Sequence, residues 1–143
     1  MNLEQAIAVA VKAHAGQVDK AGQPYVLHPL RVMMTVESTS LESARVVAVL
    51  HDVVEDTGWT VEGLAKEHGL GPDEQAALRL LTHDDDEDYA SYIEKVATNA
   101  LAKAVKLADL RDNLDVTRLA EVTEKDARRI AKYLRSLRRL TRA

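Results

Sequence analysis

The stretch His51-Asp52-Val53-Val54-Glu55-Asp56-Thr57 directly follows the apolar run 46–50, and we predict that both lie on one helix over residues 41–56. Because a helical turn contains about 3.6 residues, the pair His51-Asp52 lies one turn before the pair Glu55-Asp56. A buried helix therefore ends in four titratable side chains on adjoining faces. Burial of such groups without partners is costly, whereas a divalent cation compensates the charge of carboxylates. The stretch thus indicates a metal site.

The composition favours a core of aliphatic side chains. The chain has 143 residues, which suffices for one domain with a substantial core, and we predict a single domain over residues 1–143. It contains no Phe and only one Trp, so Leu, Val, Ile and Ala must fill this core, as they do in packed helices. No segment of four or more residues alternates between apolar and polar side chains as a strand does. The sequence therefore predicts an all-α fold.

Apolar residues at helical spacing, together with capping residues and helix-ending glycines, mark the remaining helices. We predict them over residues 3–14, 28–38, 61–68, 73–82, 89–97, 101–119 and 124–142. The last helix contains seven Lys or Arg residues and no acidic residue between Arg128 and Arg142. It also carries apolar residues at helical spacing. We therefore interpret it as a packing helix that is open to a homo-oligomeric contact, and not as a nucleic-acid surface.

The sequence excludes several classes of protein. Its apolar runs are far shorter than the roughly 20 residues of a membrane span. Glu4 stands where a signal peptide would carry positive charge. The absence of cysteine rules out disulfides, a thiolate nucleophile and a cysteine-based zinc site. We therefore expect a cytoplasmic protein that does not bind a membrane.

Two residues outside the stretch 51–57 stand in unusual surroundings. His28 follows the segment Pro24-Tyr25-Val26-Leu27 and precedes a proline, which is an odd environment for a merely solvated histidine. Asp109 interrupts a largely apolar helical stretch, where an unpaired aspartate would be costly. Asn113 lies one turn beyond this aspartate and extends a polar stripe on one helix face. Both His28 and Asp109 are therefore candidates for a functional site.

The order of these motifs resembles that of the HD-domain superfamily. More closely, it is similar to the hydrolase domain of the RelA/SpoT family and its stand-alone small alarmone hydrolases. The resemblance covers residues 13 to about 117, and it implies a helical bundle of the HD-domain type. It rests on the following motifs: Ala13-His14-Ala15-Gly16-Gln17, Gly22-Gln23-Pro24-Tyr25, His28-Pro29-Leu30, the stretch 51–57 and Lys106-Leu107-Ala108-Asp109.

The resemblance implies a role for each matching residue. Glu55 and Asp56 match the acidic pair that positions and activates the attacking water, while Lys20 and Asn113 match residues that contact the substrate. The implied reaction removes the 3′-pyrophosphate from guanosine tetra- or pentaphosphate (ppGpp or pppGpp), the alarmones of the stringent response. Four residues match the metal ligands of the family, which usually binds manganese: His28, His51, Asp52 and Asp109.

The chemistry of these four side chains agrees with one bound divalent ion. Two imidazoles and two carboxylates suit Mn²⁺, Fe²⁺ or Zn²⁺ better than Ca²⁺ or Mg²⁺, which prefer oxygen ligands alone. Such an ion lowers the pKa of its bound water and neutralises charge on a phosphoryl oxygen. Glu55 could then accept the proton of that water.

Two positions depart from the family pattern and leave the substrate open. Asp19 stands beside Lys20 where the family usually carries a second basic residue, and Asp115 stands where alarmone hydrolases tend to carry an arginine. One alternative is therefore an HD phosphohydrolase that acts on another nucleotide, such as a 5′-nucleotide, a dNTP or NADPH. The other alternative is a non-catalytic module that senses a nucleotide.

Overall fold

A computed structural model describes residues 1–142, whose regular structure is helical apart from an isolated bridge between Val18 and Pro24. This architecture confirms the predicted all-α fold. A short 3-10 turn, Val116–Arg118, follows the eighth helix. The α-helices of the described residues are α1 (Leu3–Ala13), α2 (Leu27–Thr35), α3 (Leu41–Leu50), α4 (Val53–Asp56), α5 (Val61–His68), α6 (Pro72–Leu81), α7 (Tyr89–Val96), α8 (Ala100–Asn113) and α9 (Glu124–Thr141).

The helix α3 lies at the centre of the bundle. It packs against α1, α2, α6 and α8, and residues 46–50 are each at most 2% exposed. This burial explains why that run is apolar on every side, since a helix that is surrounded by others has no face left for water. The helices α2 and α8 also pack against each other, while α9 covers α7 and α8. The end of α3 is thereby brought between α2 and α8.

The predicted helix over residues 41–56 is interrupted, which corrects the sequence-based boundary. The helix α3 ends at Leu50 and α4 begins at Val53, so His51 and Asp52 form a turn between them. The cause is a side-chain hydrogen bond, because Nδ1 of His51 donates to the carbonyl oxygen of Ala48 at 2.6 Å. An uninterrupted helix would offer this carbonyl to the backbone N–H four residues later. The hydrogen bond of the His51 ring and the backbone turn together change the direction of the chain at the polar end of α3.

Two helices end three or more residues earlier than predicted. The predicted helix 101–119 ends at Asn113, because the side chain of Asp115 accepts the backbone N–H of Thr117 and caps the 3-10 turn. The predicted helix 28–38 ends at Thr35, and Val36 has extended backbone angles. No helix within residues 1–142 combines the length and apolar character that crossing a membrane requires.

We predict that two leucine substitutions differ in their effect on the free energy of unfolding, because only one of the leucines lies in the core. Leu78 on α6 is completely buried, whereas Leu134 on α9 is 43% exposed. We expect Leu78→Ala to lower the free energy of unfolding by about 2–5 kcal/mol, because it leaves a cavity in a packed core. Leu134→Ala should change it by less than about 0.5 kcal/mol. Urea denaturation followed by circular dichroism measures both values, and equal losses would contradict this description of the core.

Candidate functional site

The four predicted metal ligands come together from three distant parts of the chain. His28 begins α2, the pair His51-Asp52 forms the turn after α3, and Asp109 lies on α8. Nε2 of His28 is 2.9 Å from Oδ1 of Asp109 and 3.6 Å from Oδ2 of Asp52. Nε2 of His51 is 3.4 Å and 3.2 Å from the same two oxygens. The ligand atoms of His28, His51 and Asp52 lie within 4.8 Å of one another, so this cluster could hold a metal ion.

The protonation of His51 supports a cation in this cluster. A carbonyl oxygen only accepts hydrogen bonds, so the contact with Ala48 places the ring proton of a neutral His51 on Nδ1. Nε2 then carries a lone pair, and this atom is buried without a hydrogen-bond partner. Burial lowers the pKa of His51, but Asp52 and Asp109 outweigh this effect and raise the pKa well above its ordinary value. Positive charge is therefore favoured at this point, and a divalent ion would supply it while the imidazole stays neutral.

Asp109 is held in place by two neighbours on its own helix. Nζ of Lys106 donates to Oδ2 at 2.9 Å, and Nδ2 of Asn113 donates to Oδ1 at 3.0 Å. Lys106 is itself buried, at 9% exposure, and its ammonium lies 5.2 Å from the centre of the Tyr92 ring. Asn113, which the resemblance assigned to the substrate, thus contacts a candidate ligand directly. Sequence reasoning assigned no role to Lys106, although its position one turn before Asp109 is a signal for an ion pair.

Two other side chains that sequence reasoning missed also contact the cluster. The hydroxyl of Tyr25 donates to Oδ2 of Asp52 at 2.6 Å. Asp112 accepts a hydrogen bond from Nδ1 of His28 at 2.6 Å. Asp112 could have been found, because it lies three residues after Asp109 and so faces the same side of α8. Each of the carboxylates and His28 is therefore oriented by a hydrogen bond from outside the cluster.

Glu55 and Asp56 lie on α4 beside the cluster and remain accessible to water. Partial burial raises the pKa of Glu55, and the backbone N–H of His83, which donates to its carboxylate, only partly opposes this. Partial burial also raises the pKa of Asp56, and the charge of Asp52 adds to the effect. A carboxylate with a raised pKa is a better proton acceptor near neutral pH. The arrangement thus suits proton transfer from a water molecule next to the cluster.

A cleft of about 450 Å³ opens beside His28 and extends toward α9. Lys20 lies at this cleft, with Nζ 3.7 Å from Oδ1 of Asp126 and more than half of its side chain exposed. Asn113 and both acidic departures from the family pattern also line it. Three arginines that the sequence had not placed here face the same space: Arg31, Arg118 and Arg129. Each guanidinium pairs with an aspartate, and with Lys20 the three arginines give the lining four cationic side chains beside the carboxylates of Asp19, Asp112 and Asp115. The arginines therefore offset the two acidic departures, and their planar groups could hold phosphate oxygens.

A larger groove, about 740 Å³, lies between α1 and the segment 57–59. Apolar side chains such as Ala8 and Trp59 form much of its wall, and none of the predicted site residues lines it. Convergent charged groups and perturbed pKa values mark a reactive site more specifically than size does. The smaller cleft beside His28 is therefore the candidate functional site.

Comparison with known proteins points to one group of relatives. No protein-family model matches the chain. It is 31% identical over 134 residues to a guanosine-3′,5′-bis(diphosphate) 3′-pyrophosphohydrolase of Haemophilus influenzae, covering 87% of this chain and 20% of that protein. It is 41% identical over 68 residues to a probable GTP pyrophosphokinase of Mycobacterium leprae, covering 47% of this chain and 9% of that protein. The chain thus spans a fifth or less of the length of these relatives.

A solved structure is similar over nearly the whole chain. It is described as a metazoan ortholog of SpoT that hydrolyses ppGpp, and it superposes with a TM-score of 0.78 at 26% identity. The similarity covers 99% of this chain and 85% of that one. Further relatives carry the names RelA and SpoT and are bifunctional (p)ppGpp synthases and hydrolases. The chain is therefore a homologue of the ppGpp hydrolases and synthetases of the RelA and SpoT type.

Proposed function

We propose that this chain is an HD-domain phosphohydrolase that removes the 3′-pyrophosphate from guanosine tetra- or pentaphosphate. For ppGpp the products are GDP and pyrophosphate. The proposal rests on one observation: two imidazoles and two carboxylates lie close together, and Nε2 of His51 is buried among them without a hydrogen-bond partner. The pyrophosphohydrolase relative and the similar structure of a ppGpp hydrolase support the same reaction.

The proposed cofactor is one divalent ion, with Mn²⁺ as the first choice and Fe²⁺ or Zn²⁺ as alternatives. Its ligands would be His28, His51, Asp52 and Asp109, a nitrogen–oxygen set that suits these ions. Such an ion polarises a phosphoryl oxygen and makes water a stronger acid. The surrounding hydrogen bonds from Tyr25 and to Asp112 hold the ligand side chains in a fixed orientation.

Two acidic residues of the chain would act on the attacking water. Glu55 takes a proton from the water that attacks the phosphorus bonded to the ribose 3′ oxygen, and Asp56 orients that water. The bond between this phosphorus and the 3′ oxygen breaks, and the oxygen acquires a proton to become the 3′-hydroxyl of the product. The raised pKa of Glu55 suits this role, since it brings the carboxyl closer to the operating pH.

The cationic side chains of the cleft would bind the charged parts of the nucleotide. Lys20 and Asn113 are the proposed substrate contacts, and both line the cleft. Arg118 and Arg129 add two guanidinium groups, which match phosphate oxygens in a planar, forked geometry. A nucleotide with diphosphates on two ribose positions carries enough negative charge to engage all of these groups.

A cytoplasmic location and an oligomeric contact through α9 stay predictions.

The proposed reaction can be tested on the purified protein with a panel of nucleotides. We expect Mn²⁺-dependent conversion of ppGpp to GDP and pyrophosphate, resolved by ion-exchange chromatography, and loss of turnover after chelation of the metal. Phosphate release from a 5′-nucleotide, a dNTP or NADPH, with ppGpp left intact, would instead identify another nucleotide as the substrate. Binding of ppGpp without turnover would identify a sensing module.

Two substitutions separate metal binding from proton transfer. Asp52→Ala removes a proposed ligand, so we expect both metal content and activity to be lost. Glu55→Gln keeps an oxygen that can accept the N–H of His83 but cannot take a proton from water. It should retain the metal while kcat falls by about 10²–10⁴-fold. Metal analysis and initial rates measure these effects, and undiminished activity of Asp52→Ala would refute the mechanism.

Lys20 provides a test of the substrate cleft. We expect Lys20→Gln to raise KM for ppGpp by about tenfold, the loss of one hydrogen bond to a charged group, with little change in kcat. Lys66→Gln on α5 is a matched control, because Lys66 is exposed and lies outside the lining of the cleft. Initial-rate kinetics at fixed ionic strength measure both variants. An equal effect of the two substitutions would show that Lys20 acts only through the net charge.

A further inference from the structure

Asp112 is not one of the four proposed ligands, yet its side chain makes several polar contacts next to them. Its side chain is only 10% exposed and lies on the face of α8 that carries Asp109. Nδ1 of His28 donates to its Oδ2 at 2.6 Å. Nε and Nη2 of Arg31 donate to its two oxygens at 2.9 and 3.1 Å. Nη2 of Arg118 lies 3.5 Å from Oδ2 and donates to the Asp112 backbone carbonyl at 2.8 Å. The carboxylate is therefore fixed from several sides.

The contact with Asp112 determines which nitrogen of His28 is free. An ionised carboxylate only accepts hydrogen bonds, so the proton of the neutral ring lies on Nδ1. Nε2 lies 2.9 Å from Oδ1 of Asp109 and 3.6 Å from Oδ2 of Asp52, so in the metal-free protein a second ring proton on Nε2 is accepted by Asp109. A cation bound in the cluster would replace that proton, and the ring, still protonated on Nδ1, would then present the lone pair of Nε2 to the cation. Without an acceptor at Nδ1, no contact on this side of the ring would fix the tautomer or the orientation of His28.

The two histidines of the cluster are held by acceptors of different charge. Nδ1 of His51 donates to a neutral backbone carbonyl, whereas Nδ1 of His28 donates to a carboxylate. Both hydrogen bonds are 2.6 Å long, but the negative charge of a carboxylate acceptor increases the basicity of the opposite nitrogen. His28 is therefore the stronger donor of the two toward a cation. Arg31 balances the charge of the carboxylate and keeps it from turning away from the ring.

We infer that Asp112 is a positioning residue of the proposed metal centre, which acts through His28 by fixing its tautomer, its orientation and its basicity. This inference rests on the proposed function, because it assumes that the cluster binds a divalent ion. It gives Asp112 a specific role among the side chains that contact the four proposed ligands without being ligands themselves. It also connects the site to the cleft, since Arg31 contacts Asp112 and lines the cleft as well.

A pair of matched substitutions tests the inference by metal affinity alone. Asp112→Asn keeps an oxygen that can accept the proton of His28 but removes the negative charge. Asp115→Asn removes the same charge from the same cleft and from the same Arg118, yet Asp115 makes no hydrogen bond to His28. Titration calorimetry with Mn²⁺, in the absence of nucleotide, should show a Kd raised by about 10–100-fold for Asp112→Asn. Asp115→Asn should stay within about twofold of the wild type, and Asp112→Glu should recover part of the affinity.

A spectroscopic measurement separates positioning from a general effect on the fold. In proton NMR of the metal-free protein, the Nδ1–H of His28 should give a downfield resonance, because its hydrogen bond to a carboxylate is short. His28→Gln identifies this resonance by removing it. We expect it to move upfield in Asp112→Asn and to stay in place in Asp115→Asn, while the melting temperatures of the metal-free proteins remain close.

The outcomes distinguish the inference from the function on which it rests. An unchanged Mn²⁺ affinity or an unmoved Nδ1–H resonance in Asp112→Asn would overturn the role of Asp112 and leave the proposed hydrolase intact. Equal losses of affinity in Asp112→Asn and Asp115→Asn would show a general charge effect and would also overturn it. A wild-type protein that binds no divalent ion would overturn both the inference and the proposed function.

Discussion

The carboxylates of Asp52 and Asp109 face the Nε2 atoms of His28 and His51 where the end of α3 meets α2 and α8. Buried negative charge of this density is stable only beside positive charge. The protein supplies part of it through the ammonium of Lys106, which donates to the outer oxygen of Asp109. The inner oxygens and the two imidazoles remain for a cation. The apolar core shared by α2, α3 and α8 brings these groups to one point, and the charges that meet there require compensation.

Charged side chains also line the cleft next to this cluster. The net charge of the chain is −4, yet the cleft next to the cluster is lined by Arg31, Arg118 and Arg129 as well as Lys20. Each of the three arginines also contacts an aspartate, so the guanidinium groups are held before a ligand arrives. Pre-ordered groups lose less conformational entropy on binding than free side chains do. An anion that enters the cleft therefore meets a fixed surface next to the proposed metal.

Most helices could be predicted from apolar spacing and caps, and the order of the motifs singled out the four side chains that meet at the end of α3. The interruption at His51 could not be predicted, because it depends on a ring nitrogen reaching the carbonyl of Ala48. The spacing of Lys106 and Asp112 places them beside Asp109, but the contacts of Asp112 with His28 and of Lys106 with Tyr92 depend on how α2 and α7 pack against α8. Arg129 was not singled out within the basic last helix, because no local pattern shows which side of α9 closes the cleft.

The interruption after α3 also has a consequence for order in this part of the molecule. The helix α4 contains only four residues, and a single turn has no helical stability of its own. Its conformation depends on remote hydrogen bonds, from Gln17 to the Asp56 carbonyl and from the His83 backbone to Glu55. It also depends on the ring of His51, which is bonded to the preceding helix. The acidic turn is therefore ordered by tertiary contacts, and one of them is made through the ring of a proposed metal ligand.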